Sequence, residues 1–326
     1  MGLITLRSDA LTVSLDPDRG GEITAITAPE RGNALSYHDW PAPLEAGLGP
    51  SYGSSELDWL SKYRGGWQFL FPNSGSESHH GGIPVAFHGE ASLAPVVVEH
   101  ASRTDCTIRT AARLSLVLRR TVRLAPDEAT VFVEEEVTNV GITDMPFVWG
   151  HHPTFPAVTG ARIDLPDSKF FVEPSAPGDL SFSSGDWPVG RASDGSTVNL
   201  GEVPSSPMVR LLYLYELSGA WAALRPPAGS EAPGIAMSWD HDAYPFLWLW
   251  LLNADPGFPW FGRAKILGIE PQRAWPFDGL AGAVDRGQAQ VVEAGKTVKS
   301  WMTITLLPDG CGPVVRVDRL GGVIYE

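Results

Sequence analysis

The chain has 326 residues, 43% hydrophobic and only 19% charged, which is ample material for a large core. Its formal net charge of -14, with no run of Lys or Arg, repels phosphate backbones and argues against nucleic acid as a partner. The longest strongly apolar run, Phe246 to Leu252, is too short to cross a bilayer as a helix.

From the N-terminus onward the signal is period-two alternation. The start, Met1-Gly2-Leu3-Ile4-Thr5-Leu6-Arg7, shows no charged leader followed by an apolar segment. Cys106 and Cys311 match no metal or redox spacing. The expectation from both is a cytoplasmic protein in a reducing compartment. Leu11, Val13 and Leu15 share one face, against Thr12 and Ser14 on the other. Leu114, Leu116, Leu118, Val122 and Leu124 oppose Ser115, Arg119, Thr121 and Arg123, and Met302, Ile304 and Leu306 oppose Thr303 and Thr305. Such alternation predicts antiparallel strands with one face on a core and one in water.

Turn clusters such as Asp16-Pro17-Asp18-Arg19-Gly20-Gly21 and Ala125-Pro126-Asp127-Glu128 separate these runs. The 35 Gly and 28 Pro leave few windows for an amphipathic helix, so the expected class is all-β, a sandwich or barrel. Phe246-Leu247-Trp248-Leu249-Trp250-Leu251-Leu252 is apolar at every position and predicts a central strand covered on both faces by two sheets. Pro41 to Arg64 and Pro174 to Pro188 read as long loops, of the kind that frame a binding site or simply run over the surface. With no repeat, low-complexity tract or linker, residues 1–326 read as one domain.

Two short motifs carry candidate chemistry. One is Gly268-Ile269-Glu270-Pro271-Gln272, with a Glu at the end of a largely apolar strand; the other is Trp149-Gly150-His151-His152-Pro153-Thr154-Phe155. Partial burial raises a carboxyl pKa toward the range of a general base, and Pro271 interrupts strand pairing beside it. A metal site is the alternative for His and carboxylate clusters. Adjacent residues on a strand face opposite ways, however, so neither His79-His80 nor His151-His152 can put both rings on one ion. No metal is therefore expected. Trp67, Trp149, Trp248, Trp250, Trp260 and Trp275 lie in or beside these segments. Trp is mostly core material, which is the plain reading for Trp248 or Trp250, but a few at a cleft rim would stack on the C–H faces of a sugar.

The set Gly66-Trp67-Gln68-Phe69-Leu70-Phe71-Pro72-Asn73, Phe87-His88-Gly89-Glu90, Gly150-His151-His152-Pro153-Thr154-Phe155 and Gly268-Ile269-Glu270-Pro271-Gln272 resembles, in its order, the aldose 1-epimerases, also called galactose mutarotases. The resemblance implies a β-supersandwich of large antiparallel sheets with an open cleft and no cofactor. It implies Glu270 as general base and His152 as general acid, with Phe155 three positions after it. His88 matches the family's first His, which polarises the sugar near its ring oxygen. Asn73, Asp240, Gln272, Trp67 and Phe155 complete the implied substrate contacts, Gln272 by supporting Glu270.

Two departures bear on the substrate. Relatives carry an Arg just after the Phe-Pro of the first motif, where this chain has Asn73-Ser74-Gly75-Ser76. Phosphosugar relatives carry another after the His-Gly motif, where Glu90-Ala91-Ser92 stands here. A phosphate dianion needs such donors, so a neutral, unphosphorylated monosaccharide is expected, acted on by a monomer or homodimer. The rival readings are a non-catalytic sugar-binding or sensor protein, and a glycoside hydrolase. The latter needs two carboxyl groups flanking the bond, with Glu90 or Asp240 as the second.

Overall fold

Alternating strands can bury their apolar rows only against one another, and here they do so as two facing antiparallel sheets. The computed structural model describes residues 2–38, 53–92, 94–181 and 184–326. Among these, ten strands form the larger sheet, whose middle runs in the order Trp67–Leu70, Gly150–Pro156, Lys265–Gln272, Phe246–Asn253, Met208–Tyr215 and Lys169–Pro177. An eight-stranded sheet faces it, built around Thr297–Leu306, Thr130–Asn139 and Leu116–Leu124. Val13, Leu15, Leu247, Leu249 and Leu251 of the first sheet meet Leu116, Leu118, Val122, Met302 and Ile304 of the second in one continuous core. This is the all-β supersandwich that the alternation and motifs predict.

The inward row of Leu116–Leu124 also carries Arg120, 1% exposed. Its Nε donates to Glu135 Oε1 at 2.9 Å and its guanidinium lies over the Phe69 ring. Glu135 Oε2 accepts from the Tyr244 hydroxyl at 2.5 Å and sits 3.2 Å from His151 Nε2. The Arg120 charge is offset between the sheets by Glu135 and the Phe69 ring, although its Nη1 and Nη2 have no hydrogen-bond partner among the described residues.

Three expectations are corrected. Phe246–Asn253 is central within its sheet, but only Leu247, Leu249 and Leu251 face the other sheet; Trp248 and Trp250 on its opposite face line a cleft. Thr303 is buried rather than solvated, because the segment after Leu307 folds back as a hairpin, Val314–Val317 with Val323–Tyr325. Thr303 donates to Arg319 O at 2.9 Å and Thr305 to Gly321 O at 3.2 Å, fastening this hairpin to the outer face.

Nor is Pro41 to Arg64 wholly a loop. Residues 41–52 lie outside the described residues, but Ser55–Lys62 is a helix whose N-cap, Ser54, accepts from the Leu57 N–H. Within Pro174 to Pro188, strand Lys169–Pro177 continues to its end and Ser184–Asp186 pairs with it. No helix among the described residues is long and apolar enough to cross a membrane.

Candidate active site

Strand parity assembles the site. Gly150 pairs with Gln272 and Thr154 with Gly268, which brings His152 and Glu270 opposite each other on neighbouring strands. Glu270 in turn pairs with Trp248, and Gly268 with Trp250. All point away from the inter-sheet core, onto a cleft of about 210 Å³ on the other face of the larger sheet. His151, one position from His152, faces the core. There the Trp67 indole N–H donates to its Nδ1 at 3.1 Å, so its hydrogen sits on Nε2, toward Glu135. The two adjacent histidines therefore serve opposite faces, as their spacing on a strand requires.

Glu270 Oε1 lies 3.5 Å from His152 Nε2. The two are close enough to share a proton but not aligned as a hydrogen bond, and Oε1 has no other partner among the described residues. Oε2 faces the Gln272 amide at 3.5 Å. Gln272 is itself held by Ser74, whose hydroxyl donates to Gln272 Oε1 at 2.7 Å, and it donates onward to His151 O. Gly268 makes room for this: a Cβ there would lie 2.2 Å from Glu270 Oε1. A buried carboxyl oxygen left unpartnered at a cleft floor calls for an explanation, and a waiting substrate hydroxyl supplies one.

Burial drives the titration. It holds the Glu270 carboxyl well above the ordinary carboxylate range, opposed only in part by the Gln272 amide. It presses His152 down to about 4, offset in part by a backbone hydrogen bond. Burial thus favours the neutral form of both groups, and the proton of the unliganded pair is drawn toward Glu270 rather than His152. Two buried groups 3.5 Å apart favour their neutral forms where few dipoles solvate their charges.

His88 completes the polar set. It stands at φ 57°, followed by Gly89 at φ 71°. This left-handed turn is costly for a non-glycine residue and is held by the His88 N–H to Gly75 O at 2.9 Å. Its Nδ1 accepts from the Gly75 N–H at 3.0 Å, so a neutral ring carries its hydrogen on Nε2 and is a donor. Burial first, and His152 second, lower its pKa well below the usual value.

The walls are aromatic: Trp59, Phe87, Trp248, Trp250, Trp260 and Phe277 line the cleft. Trp59 stacks on Tyr63 at 4.4 Å, and Tyr63 meets the His152 ring edge-on at 5.4 Å. The Tyr63 hydroxyl lies 3.5 Å from His152 Nδ1, backing the imidazole. Both residues come from the helix region read as a loop, and both were missed. Aromatics four apart on a helix of period 3.6 were the signal available. Ser175 and Ala176 reach the rim through a bulge between Val172 and Pro177. Glu173 fixes that bulge, accepting from the Ser175 hydroxyl at 2.7 Å and from the Tyr213 hydroxyl at 2.8 Å.

Of the sequence candidates, Glu270, His152 and His88 meet in the cleft and Gln272 supports them from behind. The other four are not among its lining residues. Trp67 and Phe155 are buried in the inter-sheet core, on the parity opposite to His152. Asn73 is fully buried and committed to the backbone, donating to Ser76 O and Ala86 O at 2.8 Å each and accepting from the Leu280 N–H at 2.7 Å. Asp240 sits in the turn before the Trp-rich strand, its carboxylate accepting from the Asp242 N–H. For these four, the substrate contact expected from the motif gives way to internal roles.

No family model matches the sequence, and no curated protein matches it. Solved structures do match the fold. The Slr1438 protein from Synechocystis sp. PCC 6803 superposes with a TM-score of 0.67 at 20% identity, over 94% of this chain and 95% of that one. A galactose mutarotase-like protein from Lactobacillus casei ATCC 334 gives 0.57 at 20% identity, over 94% and 100%. A galactose mutarotase related enzyme from Lactobacillus acidophilus gives 0.59 at 16%, over 94% and 98%. At such identities the likeness is one of architecture, and in architecture this chain is a galactose mutarotase-like β-supersandwich.

Proposed function

We propose that this chain is an aldose 1-epimerase, interconverting the α and β anomers of a neutral, unphosphorylated sugar. The observation that carries the reading is the Glu270–His152 pair, carboxyl and imidazole 3.5 Å apart at the floor of an aromatic cleft, with a carboxyl oxygen unpartnered among the described residues. Mutarotation needs one proton acceptor at the C1 hydroxyl and one donor at the ring oxygen. Sugar hydroxyls entering the cleft hydrogen-bond to Glu270 and favour its carboxylate, which moves the shared proton to His152. Glu270 then takes the C1 hydroxyl proton while His152 protonates the ring oxygen, and the hemiacetal opens. Rotation about C1–C2 and re-closure with reversed transfers give the other anomer. His88 donates from Nε2 to a sugar oxygen, and the tryptophans pack on C–H faces.

Glu270 is the one carboxylate lining the cleft among the described residues. Glu90 lies in the Glu90–Ser92 turn facing Arg113. That disfavours hydrolysis by two flanking carboxyl groups. The wall holds no Arg or Lys among the described residues either, in keeping with an uncharged substrate. The test is anomer-exchange NMR or polarimetry on freshly dissolved α-anomers of several aldoses. Relaxation at the uncatalysed rate for all of them, with sugar still bound, would leave a binding protein instead.

A further inference from the structure

The aromatic lining does not stop at the cleft. Glu270 pairs with Trp248, and Trp248 with Tyr213, along one row across the sheet. Two strand spacings of about 4.8 Å each therefore separate the strand of Glu270 from that of Tyr213. That is farther than one pyranose ring reaches from its anomeric carbon.

From Tyr213 the rings continue on the same face. Trp275 lies 5.6 Å from Tyr213, stacks on Tyr215 at 5.4 Å with planes 15° apart, and meets Phe246 at 6.3 Å. Trp275, Tyr215 and Phe246 are each half-buried, so ring surface is left over after packing. The strip joins the cleft directly. Phe277, two residues beyond Trp275, lines the cleft, and its N–H donates to the Tyr213 hydroxyl at 3.3 Å. At the junction stands Ser175, whose hydroxyl hydrogen is taken by Glu173, leaving its lone pairs to accept from a ligand.

We propose that this strip is a subsite for a second sugar unit, so that the preferred substrate is the reducing end of a disaccharide or longer oligosaccharide. The inference rests on the epimerase reading of the adjoining cleft. The reducing sugar occupies the cleft over Glu270 and His152, and the next ring lies on Trp275 and Tyr215. Flat, half-exposed rings running outward from a site that already holds one sugar match repeated C–H faces at the spacing of linked pyranoses.

Calorimetry decides the subsite independently of turnover, with glucose against maltose and cellobiose, and xylose against xylobiose. At least one disaccharide should bind about tenfold more tightly than its reducing monosaccharide, the scale of one aromatic contact. Trp275→Ala and Tyr215→Ala should each remove most of that advantage, and Tyr215→Phe should keep it. If Trp275→Ala fails to fold, the Tyr215 pair carries the comparison. Equal or weaker binding of every disaccharide, or an advantage untouched by Tyr215→Ala, overturns the subsite. Anomer exchange is scored separately: tighter disaccharide binding without any exchange keeps the subsite and rejects the epimerase.

Discussion

Replacing Gly268 with Ala separates the position of the Glu270 carboxyl from the integrity of the strand. The added Cβ would lie 2.2 Å from Glu270 Oε1 and 3.1 Å from its Cδ, whereas ordinary contact begins near 3.4 Å. The oxygen must therefore retreat by about 1.2 Å, the difference between 3.4 and 2.2. It can do so because a carboxyl at the end of a flexible side chain yields more readily than backbone. Gly268 lies inside a regular strand with no positive φ, where Ala is tolerated and Gly is not favoured. Because Gly268 is buried, this small overpacking should cost about 1–3 kcal/mol while leaving the fold intact. Displacing a reacting group by about 1 Å costs on the order of 10²-fold in rate. Thermal denaturation and anomer-exchange NMR on the same preparation check both halves. Exchange within about threefold of the parent, with the fold intact, would refute the claim that this carboxyl performs the chemistry.

Four further outcomes are expected. Glu270→Gln should lower exchange by about 10²–10⁴-fold, because the amide keeps the shape but accepts no proton, while calorimetric sugar affinity stays within a few-fold. His88→Asn should weaken both binding and rate if its Nε2 donates to the sugar as proposed; unchanged affinity would reassign His88 to structure. The rate should be bell-shaped in pH. Below about 4 His152 takes a second proton and no acceptor remains; above the raised pKa of Glu270 the pair loses its only proton. These limbs are opposite in assignment to those expected from ordinary pKa values, and Glu270→Gln should remove the alkaline one. Arg120→Met should destabilise by about 3–5 kcal/mol by leaving the buried Glu135 without its guanidinium partner, and Arg120→Met with Glu135→Leu should recover much of that; chemical denaturation of the three proteins measures it.

Much of the site was legible in sequence because strands have a strict period of two. Parity alone set His151 and His152 on opposite faces before any pairing was known, whereas the motif resemblance, not the spacing, nominated Glu270 and His152 as one pair. The same rule exposes an error. Phe155 is an odd number of positions from His152, so on a regular strand it had to face the core, where it lies. Trp67 neighbours Gln68, the partner of His152, and faces the core for the same reason. Asn73 could not be judged this way, since its backbone partners come from residues 75, 76, 86 and 280.

What the sequence determined by itself was therefore local: alternation makes antiparallel strands, their apolar rows demand two sheets, and short motifs nominate an acid–base pair. Only the tertiary structure decided which groups share a cleft. Trp59 on a helix, Trp248 and Glu270 on neighbouring strands, and Ser175 on a bulge converge there from distant parts of the chain. It also decided where the proton rests. Side-chain pKa values depend on burial and on the neighbours at a few ångströms, and these are set by the register of strands far apart in sequence. The identity of Glu270 made it acidic, and its enclosure beside His152 raises its pKa.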